Sequence, residues 1–548
     1  MQAYRSSLAS LLAALLCCGS IAAHAQQKGM SSITADELLM HLSFVAADET
    51  EGRDTPSTAV NLVARYLAIM VQRCGFKPIM PDGSFFQHIP LEVTAAAPSR
   101  SRLRVISSAG DQVFYYPQGF GGNFRNSGVW AGDVVFVGYG LSARDQGWDD
   151  YGDVDLAGKV VVMLEGRLPE GHALSADRAL LTTRNSVPRA KGAAAVLTVI
   201  SPEREKDLAS RGAGFQLTQR PTLPSAYPTQ NQARVGAAAP ASRPQQPAAP
   251  PGAQPGAAEI RHEVAAGILD VTRGELEAMF DAIAHGRQVA RKAVDKRAEL
   301  SVVTERRAES SANVIAVLEG SDGVLKNEYI VISSHHDHLG MRNGRTLDGA
   351  DDNGSGTVAM LEIAQALALE KPKRSVVLAW FTGEEKGLLG SHYFVNNCPV
   401  PLEKISANLN LDMISRNDPD SLYLIASNNL STELDDAIRR MNDKNFRIKF
   451  DYVYNDRAHS DRFYYRSDHY PFIRVGVPAV WLFCGTTPDY HQTTDTIDRV
   501  DFAKMEKVTR LTYMVTLEIG NKPELLKLDA NPEVTTRGKH NTSVESIR

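Results

Sequence analysis

The sequence predicts an α/β protein with a mostly parallel central sheet flanked by helices, interrupted by a smaller inserted domain. Three observations predict it. Beyond about residue 312, short continuous apolar runs alternate with helical patterns, as expected of strands buried on both faces and joined by crossover helices. Between about 128 and 300 a second, shorter set of strand-like runs stands apart. A chain of 548 residues also exceeds what one ordinary core supports.

The elements can be justified in order. Arg5, the apolar run Leu8 to Ile21 and the small-x-small triplet Ala23-His24-Ala25 read as a secretory signal over residues 1–25. The mature chain is therefore expected to be exported, to the periplasm or the medium. No later run reaches the length of a membrane span. Removal of the signal takes Cys17 and Cys18 with it and leaves Cys74, Cys398 and Cys484. Three cysteines cannot all pair and none has CxxC spacing, so buried free thiols are expected rather than a disulfide scaffold.

Residues 26–127 read as the N-terminal part of the main domain, with helical patterns at Ala35 to Leu42 and Ala59 to Cys74 around the polar loop Asp48 to Arg53. The inserted domain, residues 128–300, has strand-like runs at Val134 to Val137 and Lys159 to Leu164 and a helix end feeding a strand at Lys191 to Leu197. Within it, residues 228–257 are rich in Pro, Ala and Gln and read as a flexible segment. A helix is expected over Arg273 to His285.

The main part, 301–525, has strands at Val314 to Leu318, Tyr329 to Ser333, Val376 to Phe381, Ala407 to Leu411, Leu422 to Ala426 and Ala479 to Phe483. Helical patterns at Thr357 to Leu369, Gly387 to Asn396, Thr432 to Met441 and Phe502 to Glu518 alternate with them. Residues 526–548 are polar and read as a disordered tail.

Composition excludes more than it selects. The chain is 43% hydrophobic and 22% charged, with a formal net charge of -5. Those are globular proportions, without a basic footprint for nucleic acid or a basic run for an anionic membrane surface.

The chemistry lies in five short motifs: Ser334-His335-His336-Asp337, Gly349-Ala350-Asp351-Asp352-Asn353, Thr382-Gly383-Glu384-Glu385, Leu409-Asn410-Leu411-Asp412-Met413 and Tyr490-His491-Gln492. Three follow directly on predicted strands, where ligands of open α/β sheets collect. Each alone has a plainer reading. Asp351-Asp352-Asn353-Gly354 is a turn composition, Glu384-Glu385 a solvated helix start, and His491 a surface histidine. Asp412 resists such a reading, because a carboxylate ending an apolar strand needs a partner or a metal. Asp337, two residues after His335, is suited to hold an imidazole tautomer that leaves one nitrogen for a metal. Together, two imidazoles and several carboxylates make a bed for two zinc ions, which polarise carbonyls and acidify water. A hydrolase is expected.

These motifs resemble those of the di-zinc exopeptidases of the leucyl aminopeptidase type, whose relatives include glutamate carboxypeptidase II, glutaminyl cyclase and the transferrin receptor. The resemblance covers about 31–125 and 300–520 and extends to the segment Asp48 to Arg53. The runs Phe136-Val137-Gly138-Tyr139-Gly140, Trp148-Asp149-Asp150-Tyr151 and Gly158-Lys159-Val160-Val161 resemble an inserted protease-associated domain.

The resemblance implies two zinc ions bridged by Asp351. His335 and Asp412 complete one position, and Glu385 and His491 the other. It also implies Asp337 as the residue orienting His335, Glu384 as general base, a cis peptide preceding Asp352, and Tyr464 as a hydroxyl for the oxyanion or substrate. The implied substrates are peptides with a free N-terminus. A carboxypeptidase or a glutaminyl cyclase on the same scaffold is the alternative, and a non-catalytic receptor-like protein a remote one.

Overall fold

A computed structural model of the chain describes residues 28–540 apart from 167, 169–173, 175–183, 185, 211, 213, 216, 218, 225–255 and 343. The expected signal at 1–25, nearly all of the flexible segment 228–257 and the last eight residues lie outside the described residues. The chain divides into two compact units. One comprises the described residues within Met1–Leu91, Pro221–Ala238 and Glu309–Arg548, the other those within Glu92–Arg220 and Ala239–Ala308.

The first unit is built on one large sheet. Eight of its ten strands are β1 (Phe86–Ala96), β2 (Thr304–Leu318), β3 (Tyr329–His335), β4 (Ser375–Phe381), β5 (Ile405–Leu411), β6 (Ser421–Ile425), β7 (Lys449–Asp451) and β8 (Ala479–Phe483). They lie in the order β1-β2-β4-β3-β5-β8-β6-β7. The central four, β4-β3-β5-β8, are parallel, and β2 and β6 run antiparallel to β4 and β8. The mostly parallel sheet is thus present, with antiparallel strands at its flanks.

Helices cover both faces. Along β3, Ile330 and Ile332 join one core while Val331 joins the other, the period-two alternation of a strand. The first core receives α1 (Ala35–Val45), α2 (Thr58–Arg73), α3 (Gly356–Leu369), α5 (Thr432–Asn445) and α7 (Phe502–Gly520) through Leu42, Leu67, Leu361, Ile438 and Leu511. The second receives α4 (Leu389–Asn396) and α6 (His469–Arg474) through Phe394 and Phe472. Thr34 and Ser57 cap α1 and α2 by accepting from the amides of Glu37 and Val60.

The second unit has its own eight-stranded sheet, in the order Gln112–Tyr115, Arg102–Ile106, Lys292–Val302, Gly128–Phe136, Val160–Leu164, Ala195–Val199, Gly256–Ile260 and Phe120–Gly121. It also has its own core, including Leu103, Phe136, Val162, Leu197, Ile260 and Leu300.

Two expectations are corrected here. The unit begins at Glu92 rather than 128, because Arg102–Ile106 pairs with Lys292–Val302, far ahead in sequence. Residues 526–540 are also not a frayed tail. Leu526 and Val534 are buried, the amide of Leu526 donates to Ser406 and that of Gly538 to the Val475 carbonyl. Two apolar anchors outweigh a polar composition. Cys74, Cys398 and Cys484 are free thiols.

Candidate active site

The carboxyl ends of β3, β4 and β5 lie side by side. His335, the last residue of β3, pairs with Phe381, the last of β4, and Ser333 pairs with Asn410 of β5. The chain therefore delivers His335, Glu384 and Asp412 to one rim. The loop before α3 supplies Asp352, and the loop after β8 supplies His491.

Around His335, Nε2 lies 3.3 Å from Asp412 Oδ1, 3.5 Å from Asp352 Oδ1 and 3.9 Å from Glu384 Oε2. Its Nδ1 sits 3.1 Å from the Asp337 carbonyl and 3.7 Å from the Asp337 carboxylate, and that carboxylate accepts from the amide of Glu384 at 3.1 Å. Asp337 therefore stands behind both His335 and Glu384. Around His491, Nε2 lies 3.1 Å from Asp352 Oδ2 and 3.2 Å from Glu385 Oε2. His338 Nδ1 lies 2.8 Å from Glu385 Oε1. Two groups of side chains that could each hold a metal ion result, His335-Glu384-Asp412 and His338-Asp352-Glu385.

Asp352, not Asp351, joins the two groups, with one carboxylate oxygen toward His335 and the other toward His491. Asp351 is removed from the metal set. It is buried, and its carboxylate accepts from the amide of Ser415 at 2.9 Å and its hydroxyl at 2.6 Å, with Cys484 Sγ 3.6 Å away. The backbone at Asp352 is extended (φ −103°, ψ 95°), where successive side chains project to opposite sides. A one-residue shift therefore exchanges ligand for support. The cis peptide is likewise Asp352-Asn353, one bond later than expected.

Tyr464 is the other correction. It is fully buried in the apolar core against Tyr465 and Tyr470. The pocket beside the clusters is lined by Asp352, Glu384, Glu385, Asp412, Phe463 and Tyr490 among others. The hydroxyl at its wall is that of Tyr490, which accepts from Arg466 at 2.8 Å and whose ring stacks on His491 at 3.8 Å. The signal that could have found it is its place directly before His491. His338 was missed too, although a third histidine in Ser334 to His338 was a visible cue.

The supporting bonds are continuous. Asn408 donates to Ser333, Ser333 to Asn410 and Asn410 to Ser467, each at 2.8 Å, and Ser467 donates to Asp412 Oδ2 at 2.5 Å. Asn353 donates to Ser334 and to the Leu411 carbonyl and accepts from Gly356 and Met413, which ties the ends of β3 and β5 to the turn before α3. Asp495 accepts from the amides of Asp351 and Asp352 at 3.0 Å. Buried polar groups linked in this way favour a single geometry.

Charge is crowded here. Burial, together with the charges of Glu385 and Asp412, pushes the Glu384 carboxyl well above its ordinary range. Burial raises Asp352 in the same way, helped by Glu385. It also pushes Asp468, behind the rim, to about 7. Burial lowers both imidazoles, yet the carboxylates win. His335 is held well above the usual range by Asp412 and Glu384, and His491 at about 10 by Asp352 and Glu385. Glu385 is opposed by burial but held well below its usual range by His338 and His491. Buried acids this close together repel unless cations neutralise them. His338 Nε2 is buried without a hydrogen-bond partner, and Glu385 Oε1, His338 Nδ1 and His491 Nε2 meet their neighbours closely but without the alignment of directed hydrogen bonds. Nitrogen and oxygen donors in this mixture suit zinc.

Residues 313–516 match Peptidase family M28. The chain is 34% identical over 184 residues to leupeptin-inactivating enzyme 1 of Streptomyces exfoliatus, covering 33% of this chain and 37% of that protein. It is 28% identical over 258 residues to leucine aminopeptidase 2 of Trichophyton rubrum, covering 40% and 48%. The chain thus spans half or less of these two relatives' length. Among solved structures, the fold is similar to that of a zinc aminopeptidase from Bacillus subtilis, with a TM-score of 0.51, 17% identity and coverage of 91% of this chain and 98% of that one. An aminopeptidase from Aneurinibacillus sp. strain AM-1 matches with a TM-score of 0.50, 17% identity and coverage of 93% and 99%.

Proposed function

We propose, from the premise that residues 313–516 belong to Peptidase family M28, that the protein is an exported aminopeptidase that removes N-terminal residues from peptides with a dinuclear zinc site. The observation that carries this reading is Asp352 set between an imidazole–carboxylate pair on each side, with Glu384 at 3.9 Å from His335. His335 and Asp412 would hold one ion, Glu385 and His491 the other, and Asp352 both. Zinc held there supplies Lewis-acid polarisation of the scissile carbonyl and a more acidic water.

The chain's own residues do the rest. Glu384, which lines the pocket 3.9 Å from His335, is placed to take a proton from the attacking water and return it to the leaving amine. Asp337 fixes its neighbour His335 and the Glu384 amide. Tyr490 presents a hydroxyl to the developing oxyanion. The substrate ammonium group meets the surplus of carboxylates, which restricts cleavage to free N-termini.

A carboxypeptidase would need a cationic clamp for the substrate carboxylate: Arg416, shortly after Asp412, is committed to Asp489 at 2.6 Å, and Arg466, which lines the pocket, donates to the Tyr490 hydroxyl at 2.8 Å. The ligand set is complete, which weighs against a non-catalytic receptor. The second unit, by its resemblance over 136–161, is read as a protease-associated domain. A panel of free and N-blocked aminoacyl substrates tests the activity. Free-amino substrates are expected to be cleaved and blocked ones spared, with activity lost on chelation and restored by zinc. Glu384→Gln is expected to lose at least ~10³-fold in kcat, in keeping with the scale of lost general-base catalysis, while keeping its zinc. Cleavage of blocked peptides, or an active Glu384→Gln, overturns the reading.

A further inference from the structure

We infer that His338 is a ligand of the metal ion on the Glu385–His491 side, giving that position two imidazoles. The inference rests on the zinc reading above and adds a residue to it.

The His338 ring is fully buried, and the backbone is built to bring it there. Its amide donates to the Arg53 carbonyl at 3.1 Å. Gly349 faces it with φ at +56°, and a Cβ there would fall 2.6 Å from two of the ring carbons. Glycine is required both by the backbone and by the ring.

Once placed, His338 Nδ1 is 2.8 Å from Glu385 Oε1, close enough to help hold that carboxyl down but without the alignment of a directed hydrogen bond, and Nε2 of the same ring has no partner. A histidine present only to orient Glu385 would point an N–H along the oxygen lone pair and satisfy its other nitrogen elsewhere. Here neither condition holds. One donor atom each from His338, Asp352 and Glu385 lies within 4.8 Å of the others, with His491 Nε2 at 3.1 and 3.2 Å from the two carboxylates. The rings of His338 and His491 stand edge to face at 5.9 Å and 68°, so both approach the carboxylate pair without stacking. Donors that converge without bonding one another describe the wall of a cation site, and two nitrogens with two oxygens suit zinc.

The test uses the full mature chain. Zinc content and chelator competition are measured for the wild type, His338→Ala and His338→Asn, the last of which can still donate to Glu385 but is a poor zinc ligand. The wild type is expected to hold two ions. Both variants are expected to keep one unchanged and to bind the second at least ~100-fold more weakly, beyond the 10–100-fold typical of a merely orienting residue. X-ray absorption on wild-type zinc protein is expected to count three imidazoles across two ions rather than two, a readout that needs no variant to fold. A wild type with two ions and variants within a few-fold of it, recovery by Asn, or two imidazoles overturns this inference alone. A wild type that binds no zinc overturns it together with the proposed function.

Discussion

At the residue scale, neighbouring aspartates in one turn do different work. The Asp352 carboxylate faces imidazoles on both sides, whereas Asp351 is held by Ser415. Asp352→Asn is expected to strip both ions, because either position loses a charged ligand. Asp351→Asn is expected to keep both ions and to lower stability by about 1–3 kcal/mol, the usual cost of disturbing a buried, charge-assisted bond. Elemental analysis and denaturant unfolding of the two proteins check this, and equal metal loss in both would contradict the assignment. The pair also marks how far sequence reasoning reaches. His335, Glu384, Glu385, Asp412 and His491 were legible because each sits where an apolar strand stops or a short loop presents a lone ionisable group. Asp351 and Asp352 differ only in which way a non-repeating turn points them. Periodicity assigns faces only where dihedrals repeat. Tyr464 and Tyr490 failed for the same reason. Phe463, Tyr464 and Tyr465 share one tight turn, of which Phe463 reaches the pocket.

At the scale of elements, the strands and helices of the main sheet were legible because their apolar runs are continuous and well bounded. The packed segment after 525 was not, since Leu526 and Val534 are isolated anchors without a period. Helix α3 carries a feature that no hydrophobic pattern announces. Glu362 lies on its buried length, accepting from the Thr34 amide at 3.3 Å and sitting 3.6 Å from His41 Nε2. Burial, with the Glu37 charge beside it, raises its carboxyl to about 8, while burial lowers His41. The unfolded chain titrates Glu near 4.3. The folded state therefore binds this proton more tightly. The resulting stabilisation is present below about pH 4.5 and is lost as pH rises through about 8. Glu362→Gln removes that dependence. Its Tm is expected to exceed that of the wild type by a few degrees at pH 9, and the gap should narrow by pH 5. A Tm difference independent of pH would show that Glu362 stays ionised in the fold.

At the scale of the whole molecule, the chain makes two compact units rather than one, and the proposed metal site belongs entirely to the first. The sequence placed the second unit's start too late because its opening strand, Arg102–Ile106, finds its partner almost two hundred residues on, in Lys292–Val302. The opening strand's local hairpin with Gln112–Tyr115 does not reveal which sheet it joins. The division has a consequence for stability. Anything that binds the folded form alone stabilises it, by about 2.7 kcal/mol at a hundredfold excess over Kd, but only for the unit whose unfolding releases it. Zinc removal is therefore expected to weaken amide protection at the carboxyl ends of β3, β4 and β5 and in the loop at Ala350–Ser355, where like charges are left facing one another. Protection in Val160–Leu164 and Ala195–Val199, which pair with each other in parallel and are backed by their own core, should stay unchanged. Hydrogen exchange on zinc-loaded and chelated protein reads both regions in one experiment. An equal loss of protection in the two sheets would mean that the units unfold as one cooperative block and that metal binding is felt throughout the chain.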